Sequence, residues 1–356
     1  MTGRERGADA AAGRRSGCRR GRRATVAAAA FVAAMAAISY LAPLLANNKP
    51  LVIRYEGRVH FTAFRDLAPF SFWLKPDSVS LRLQADPDWL SGKGGDRSRV
   101  GFFLLPPVPF SPYQTSLDRV HLPPRPFSPH RLGCDDVGRD VLARLIHGTK
   151  VSLLVGVLAM GLALAVGVGL GALGGYAGGW VDSILVSRAV EVMLCFPTFF
   201  FILTVTAVMD PKYLNLWSVV LVIGFSSWPS VARYARAEFI RLRGAEFVEG
   251  ARALGAGHGR IVFRHILPNA AGPLVVNAAF GMAGAILAEA ALSFLGVGIQ
   301  PPEPSWGGIM SLVTRYWSDW WLGLFPGVAI FGAVLAYNRL GEALREALEA
   351  TGGPPA

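Results

Sequence analysis

Charge is scarce in this chain. Of its 356 residues only 17% are Asp, Glu, Lys or Arg, while 52% are hydrophobic. With a mean hydropathy of +0.40, that scarcity excludes an ordinary soluble domain and makes the lipid bilayer the main solvent. Cysteine is scarcer still. Cys18, Cys134 and Cys195 stand in a basic tail, a long loop and an apolar run, and no CxxC occurs, so no disulfide framework or paired-thiolate metal site follows. There is no HExxH, and His147, His258 and His265 have no mutual ligand spacing, so neither a metal nor a cofactor is expected. Nor is there a G-x-x-x-x-G-K-[ST] phosphate loop, despite the run "GVGLGALGGYAGG". The chain is therefore not expected to hydrolyse ATP, and those glycines suit close helix packing instead. No nucleophile, base and oxyanion-donor constellation argues for an enzyme.

Basic charge, by contrast, is present and badly distributed. The net charge is +11, and eight arginines crowd the first 23 residues, just before an apolar run. That placement suits a cytoplasmic anchor beside anionic membrane lipid better than a nucleic-acid surface. The run itself, residues 24–46, is longer than the core of a signal peptide and fits a membrane span.

Five further apolar runs lie near Val151–Tyr176, Val186–Met209, Leu214–Ala232, Ala271–Leu295 and Leu322–Leu340. The expected fold is an all-α multi-pass membrane protein with six transmembrane helices. Its parts are a basic cytoplasmic tail (1–23), the first helix (24–46), an external insertion (47–150), a five-helix core (151–340) and a cytoplasmic carboxy-terminal tail (341–356). Counting Lys and Arg in short connections puts the amino terminus in the cytoplasm. Parity then puts the segment 233–268, with Arg233, Arg236, Arg241, Arg243, Arg252, Arg260 and Arg264, on the same side. Within the insertion, "RYEGRVHFTAF" alternates like a strand, while "FLLPPVPFSPY" and "HLPPRPFSPH" read as extended proline-rich chain. A small external subdomain is expected, closed by a helix over about 135–147; a poorly ordered loop is the alternative.

In the cytoplasmic segment Phe247, Val248, Ala251 and Leu254 recur on one helical face, with Glu246, Glu249 and Arg252 on the other. Gly255 and Gly257 stop that helix. "RIVFRHIL" predicts a second helix that breaks at Pro268 before the next span. The spacing Glu249-Gly250-Ala251, three residues, Gly255, nine residues, then His265-Ile266-Leu267-Pro268 resembles the E-A-A loop of the permease subunits of binding-protein-dependent ABC importers. Gly250 stands in place of an Ala and His265 in place of an Ile. "HRLGCDDVGRDVLARLIHGTKVSL", "GGYAGGWVD" and "ALSFLGVGIQPPEPSWG" are similar to segments of the dipeptide and oligopeptide subgroup, with Cys134 where Thr is usual. "ANNKPLVIRYEGRVHF" resembles the start of an insert in the branch associated with microcin C and oligopeptide uptake.

The resemblance implies a coupling helix that docks on ATP-binding subunits, through Glu249, Gly250, Ala251, Gly255, Leu267 and Pro268. It further implies a second permease subunit, a periplasmic substrate-binding protein and a peptide-like substrate. A generic interfacial amphipathic helix would not require this spacing. A membrane-anchored sensor or assembly factor is the alternative from another class.

Three charged residues in apolar surroundings are candidates for the pathway. Arg188 and Glu191, at i and i+3, can pair, and near a span end assembly or anchoring is the commoner role. Glu289 lies deeper and needs a partner, water or the pathway. Cys195, beside Phe196 and Pro197, suits packing at a proline kink.

Overall fold

In a membrane every backbone polar group must be satisfied internally, so long charge-free runs can only become helices. The computed structural model, which describes residues 25–67 and 100–351, is built on that rule. The basic tail and the middle of the insertion lie outside the described residues. Among the described residues five helices are long and apolar enough to cross a membrane, or six if one bent pair counts as a single span.

Helix α1, Thr25–Leu45, leads into the insertion. There β1 (Val52–Tyr55) and β2 (Arg58–His60) form a hairpin, so "RYEGRVHF" is two strands rather than one. The reason is local: Glu56 and Gly57 both take positive φ, +49° and +80°, the conformation that a two-residue turn between twisted strands requires. Strand β3, Val100–Leu104, adds to the other edge of β1, giving the antiparallel order β2-β1-β3. The proline-rich stretch then returns to α1, where Val108 N–H donates to Leu45 O at 3.0 Å and Asn47 N–H to Val108 O at 3.2 Å.

Helix α2 runs over Val141–Ala177, a single element of 37 residues. It absorbs most of the helix expected over 135–147 into the second span and carries across the boundary expected at residue 150. Its length, about 55 Å at 1.5 Å per residue, exceeds the roughly 30 Å of hydrocarbon, so one end stands clear of the bilayer core. After Gly178 and Gly179, both at positive φ, a wide-turn segment Val181–Val186 continues into α3, Ser187–Leu194. Helix α4, Thr198–Val208, follows after a 79° bend. The span expected over Val186–Met209 is thus broken at Cys195–Pro197, where Pro197 precedes α4 and no side chain caps its start.

Helix α5, Leu216–Arg243, begins with a capping box in which Asn215 Oδ1 accepts from Ser218 N–H and Ser218 Oγ accepts from Asn215 N–H. It continues eleven residues past the end expected at Ala232. Short helix α6, Glu246–Ala253, precedes a turn at Gly255. From His258 the chain is helical through Phe294, with α7 proper over Leu267–Phe294. The break expected at Pro268 is absent. Instead a wide turn, Ile261–Ile266, sits immediately upstream, and Leu267 N–H reaches back to Val262 O. Pro268 lies in the first turn of α7, where a missing N–H is tolerated. A short helix α8, Trp306–Met310, folds back before α9, Trp321–Thr351. The carboxy-terminal tail expected from 341 is therefore helical through Thr351.

Helices α2 and α5 meet along a glycine seam. A Cβ on Gly167, Gly171 or Gly175 would strike Val231 and the Trp228 carbonyl, the Ala232 carbonyl and Ala235, or the Arg236 carbonyl and Phe239 respectively. At i, i+4 and i+8 these positions form one stripe, and close backbone approach is what binds helices in lipid. Met35 of α1, Leu153 of α2, Ile286 of α7, Trp306 of α8 and Ala333 of α9 share a second cluster. The two ends of α2 thus define two ends of the molecule, the insertion at one and the α5–α7 connection at the other.

Candidate functional site

The α5–α7 connection forms a knob. Glu246 and Glu249 lie in the first turn of α6 and Arg252 in its last, matching the helix dipole at both ends. Val248 is fully buried and joins Phe239 and Leu242 of α5, Ile261 and Ile266, and Leu274 of α7 in one cluster. That single side chain anchors α6. Its expected companions do not follow it inward: Ala251 is half-buried, Phe247 is exposed and Leu254 is 90% exposed. Helical periodicity put them on one face, but an eight-residue helix lying on a cluster buries only the residue directly above it.

Gly255 has φ +81°. Gly255 N–H donates to Arg252 O and Ala256 N–H to Ala251 O, both at 3.0 Å, the paired bonds of a Schellman stop. A Cβ there would meet nothing within 4 Å, nor would one on Gly250, so only backbone conformation calls for glycine, and only at 255. Glu249, Gly250, Gly255 and Pro268 are exposed and Leu267 half-buried. Phe263 adds a further exposed ring, 72% accessible.

Three cross-links tie the knob and the end of α5 to the end of α2 and the wide turn that follows it. The Tyr176 hydroxyl and His258 Nδ1 are 2.8 Å apart. Arg243 Nη1 donates to Gly175 O at 3.1 Å. Arg236 grips both oxygens of Asp182, a two-point pairing that fixes orientation as well as distance. The sequence reading named His258, Arg236 and Arg243 but none of these pairings, because each joins segments 54 to 82 residues apart.

Between α2, α4, α5 and α7 lies a cavity of about 690 Å³. Small and apolar residues line most of it, with Thr198, Ser227, Ser230 and Asn277 as its polar groups. Arg188, Glu191 and Glu289 are not among its lining residues. Arg188 Nη1 donates to Glu191 Oε2 at 2.9 Å, as the spacing suggests, but on an exposed surface. Glu289 is fully buried and its Oε1 accepts from Ser293 Oγ at 2.7 Å. Ser305 stands near the same carboxyl with its hydroxyl accepting from Gly308 N–H, and Glu289 Oε2 makes no hydrogen bond.

At the insertion end the segment before α2 forms a charge network. Asp140 caps α2, accepting from Ala143 N–H at 2.7 Å, and also takes His130 Nδ1 at 2.8 Å. Arg119 Nη1 stands 3.1 Å from His130 Nε2. A guanidinium can only donate, so Nε2 accepts and Nδ1 carries the proton toward Asp140. Asp135, fully buried, accepts from Val137 N–H, Arg139 N–H and Arg139 Nε, and lies 3.2 Å from Arg144. Trp321 Nε1 donates to Cys134 O, tying the network to α9. Burial, and then the charges of Asp140 and Asp135, push the Cys134 thiol up to about 12. This network accounts for "HRLGCDDVGRDVLARLIHG" as one folded unit. A charged residue four positions into the helix, Arg144 after Asp140, is a signal that could have pointed to it.

Taken together, apolar spans, a helix seam of glycines, an intramembrane cavity and a braced knob at one end define a membrane permease. Residues 167–350 match the family described as binding-protein-dependent transport system inner membrane component, and the chain belongs to that family. It is 41% identical over 218 residues to a dipeptide transport system permease protein of Alkalihalophilus pseudofirmus, covering 61% of this chain and 70% of that one. A Brucella ovis protein described as a peptide permease is 40% identical over 261 residues, covering 70% of this chain and 85% of its own length. Among solved structures, a chain of the MetNI methionine ABC transporter in inward-facing conformations aligns with a TM-score of 0.48 at 19% identity, over 58% of this chain and 96% of that one.

Proposed function

We propose that this inner-membrane permease subunit carries peptides or peptide-like substrates inward, through a pathway it shares with a second permease subunit. ATP hydrolysis falls to separate ATP-binding subunits that dock on the knob, and a periplasmic binding protein delivers substrate at the insertion end. The amino terminus and the knob face the cytoplasm. The peptide class rests on the descriptions of the dipeptide and peptide permease relatives.

The observation that carries the reading is the knob. Val248 holds α6 against the ends of α5 and α7 while Phe247 and Leu254 point outward. An apolar face kept uncovered on a rigidly held helix is a contact surface. Six spans are supported by the bent pair: it starts beside the end of α2, and Leu214, just beyond it, accepts from Gln300 N–H at the insertion end. In the cycle, ATP binding closes the paired ATPases, the knobs move with them, and the cavity opens outward; hydrolysis restores the inward state. Differential affinity for the two ATPase states drives the exchange.

Purification of the tagged chain in mild detergent, followed by mass spectrometry, tests the assembly. Stoichiometric ATPase and second permease are expected, and an intact preparation lacking both overturns it. Gly255→Asp tests the knob: uptake should fall while membrane insertion persists, and normal uptake would remove its docking role.

A further inference from the structure

Two clefts meet at the insertion end of α1 and α2. One is an apolar groove of about 390 Å³, lined by Val32 and Ala36 of α1, Leu153, Leu154 and Val157 of α2, and Tyr337 of α9. The other is a polar recess of about 620 Å³, with Asn48, Ser111, Gln114 and Thr115 among its lining residues. Pro43, Asp66 and Lys150 line both, so the two are halves of one cleft, apolar below and polar above. The change of character falls where the hydrocarbon ends. Lys49 is the first charged residue after α1, and Lys150 is the last before a charge-free run that extends through Ala177. At this level His147 Nε2 donates to Ala46 O at 2.8 Å, which holds the end of α1 against α2.

The charges of the cleft do not cancel. Lys49 Nζ donates to both oxygens of Asp66, at 2.9 and 3.1 Å, and Asn47 Nδ2 donates to the same carboxylate at 3.2 Å. Lys150, by contrast, is exposed and has no ion-pair partner among the described residues.

We infer that this cleft binds an anionic phospholipid with an uncharged polyol head group, drawn from the leaflet on the insertion side. The phosphate sits at Lys150, one acyl chain lies in the groove and the head group enters the recess. An uncompensated ammonium at head-group depth favours an anionic lipid. The apolar half argues against a free phosphate or another small anion, which would leave the groove unfilled. Asp66 already holds Lys49 and Asn47, so no carboxylate is left for the ammonium of a zwitterionic head group. Hydroxyls, however, suit the amide and hydroxyl side chains of the recess. Both halves have the volume of ordinary small-molecule sites. The cleft shares no lining residue with the 690 Å³ cavity, and the inference does not rest on the transport reading.

The test uses the full-length chain, purified with its companions and reconstituted in phosphatidylcholine nanodiscs. Phosphatidylglycerol carrying a photoreactive diazirine in one acyl chain is added, and labelled peptides are identified by mass spectrometry; phosphatidylcholine with the same diazirine is the control. Phosphatidylglycerol should label residues 32–43 and 153–157 above the other apolar faces, saturating at one lipid per chain. Unlabelled phosphatidylglycerol should displace it, and inorganic phosphate should not. Lys150→Gln should weaken this labelling about fivefold, the loss of one lysine's attraction to an anionic lipid. Ala36→Trp, at an exposed position in the groove, should abolish it there and spare labelling elsewhere. Even labelling over all spans, or equal labelling by phosphatidylcholine, reduces the cleft to ordinary bilayer contact and overturns the site. Displacement by inorganic phosphate makes it a free-anion site, and an unlabelled groove means that protein covers it; either result overturns the inference, as does labelling unchanged in either variant.

Discussion

At the scale of single residues, burial decides what a side chain can do. Cys134 is fully enclosed and its thiol is pushed up to about 12 by burial and by the neighbouring Asp140 and Asp135. The thiolate is the reactive form, so maleimide at pH 8 should leave Cys134 unmodified until the protein is unfolded. The folded state holds that proton where the unfolded chain, with a thiol near its ordinary value of 9, releases it. The contribution of Cys134 to stability should therefore be fully present below about pH 9 and be lost as pH rises toward 12, which thermal melts of the protein and of Cys134→Ser across that range would record by difference. Removal of a partner from the network has a different cost. Asp135→Ala strands Arg144, Arg139 and two backbone donors, and should lower stability by about 3–5 kcal/mol in chemical unfolding. Glu289 carries less consequence for transport: lying outside the cavity lining, its change to Gln should leave uptake near wild type, measured in reconstituted vesicles.

At the scale of elements, glycine means two different things. On α6, Gly250 is helical with open space where a Cβ would go, so Gly250→Ala should stabilise the protein by about 0.5–1 kcal/mol. On α2, Gly171 touches the backbone of α5. Gly171→Val should cost about 1–3 kcal/mol through overpacking and separate the two helices, read as a lowered melting temperature in detergent. The glycine-rich run was legible in the sequence as a packing stripe, but nothing there said which helix it would meet. The start of α2 was less legible. Asp140 and Arg144 are four residues apart in the chain, yet their value depends on His130, Arg119 and Trp321, brought together only by the fold. The broken span at Cys195–Pro197 shows a similar limit, since an apolar run does not report a 79° bend.

At the scale of the whole molecule, one end of α2 meets the insertion and the other the knob. The proposed orientation predicts that a cysteine at Arg125, exposed on the insertion, is labelled by an impermeant maleimide in intact cells. A cysteine at Gly257, beside the knob, should be labelled only after permeabilisation. Reversal of that pattern would invert the topology.

By itself the sequence determined the class of solvent, the apolar segments that become helices, the position of the glycine stop at 255 and the family spacing around it, because these depend on composition and on separations of a few residues. Tertiary structure alone decided which side chains face inward from α6, where Glu289 points, what Arg144 meets, and which residues line the cavity. Those outcomes depend on contacts between segments tens to hundreds of residues apart, and local periodicity carries no information about the surface a helix will meet.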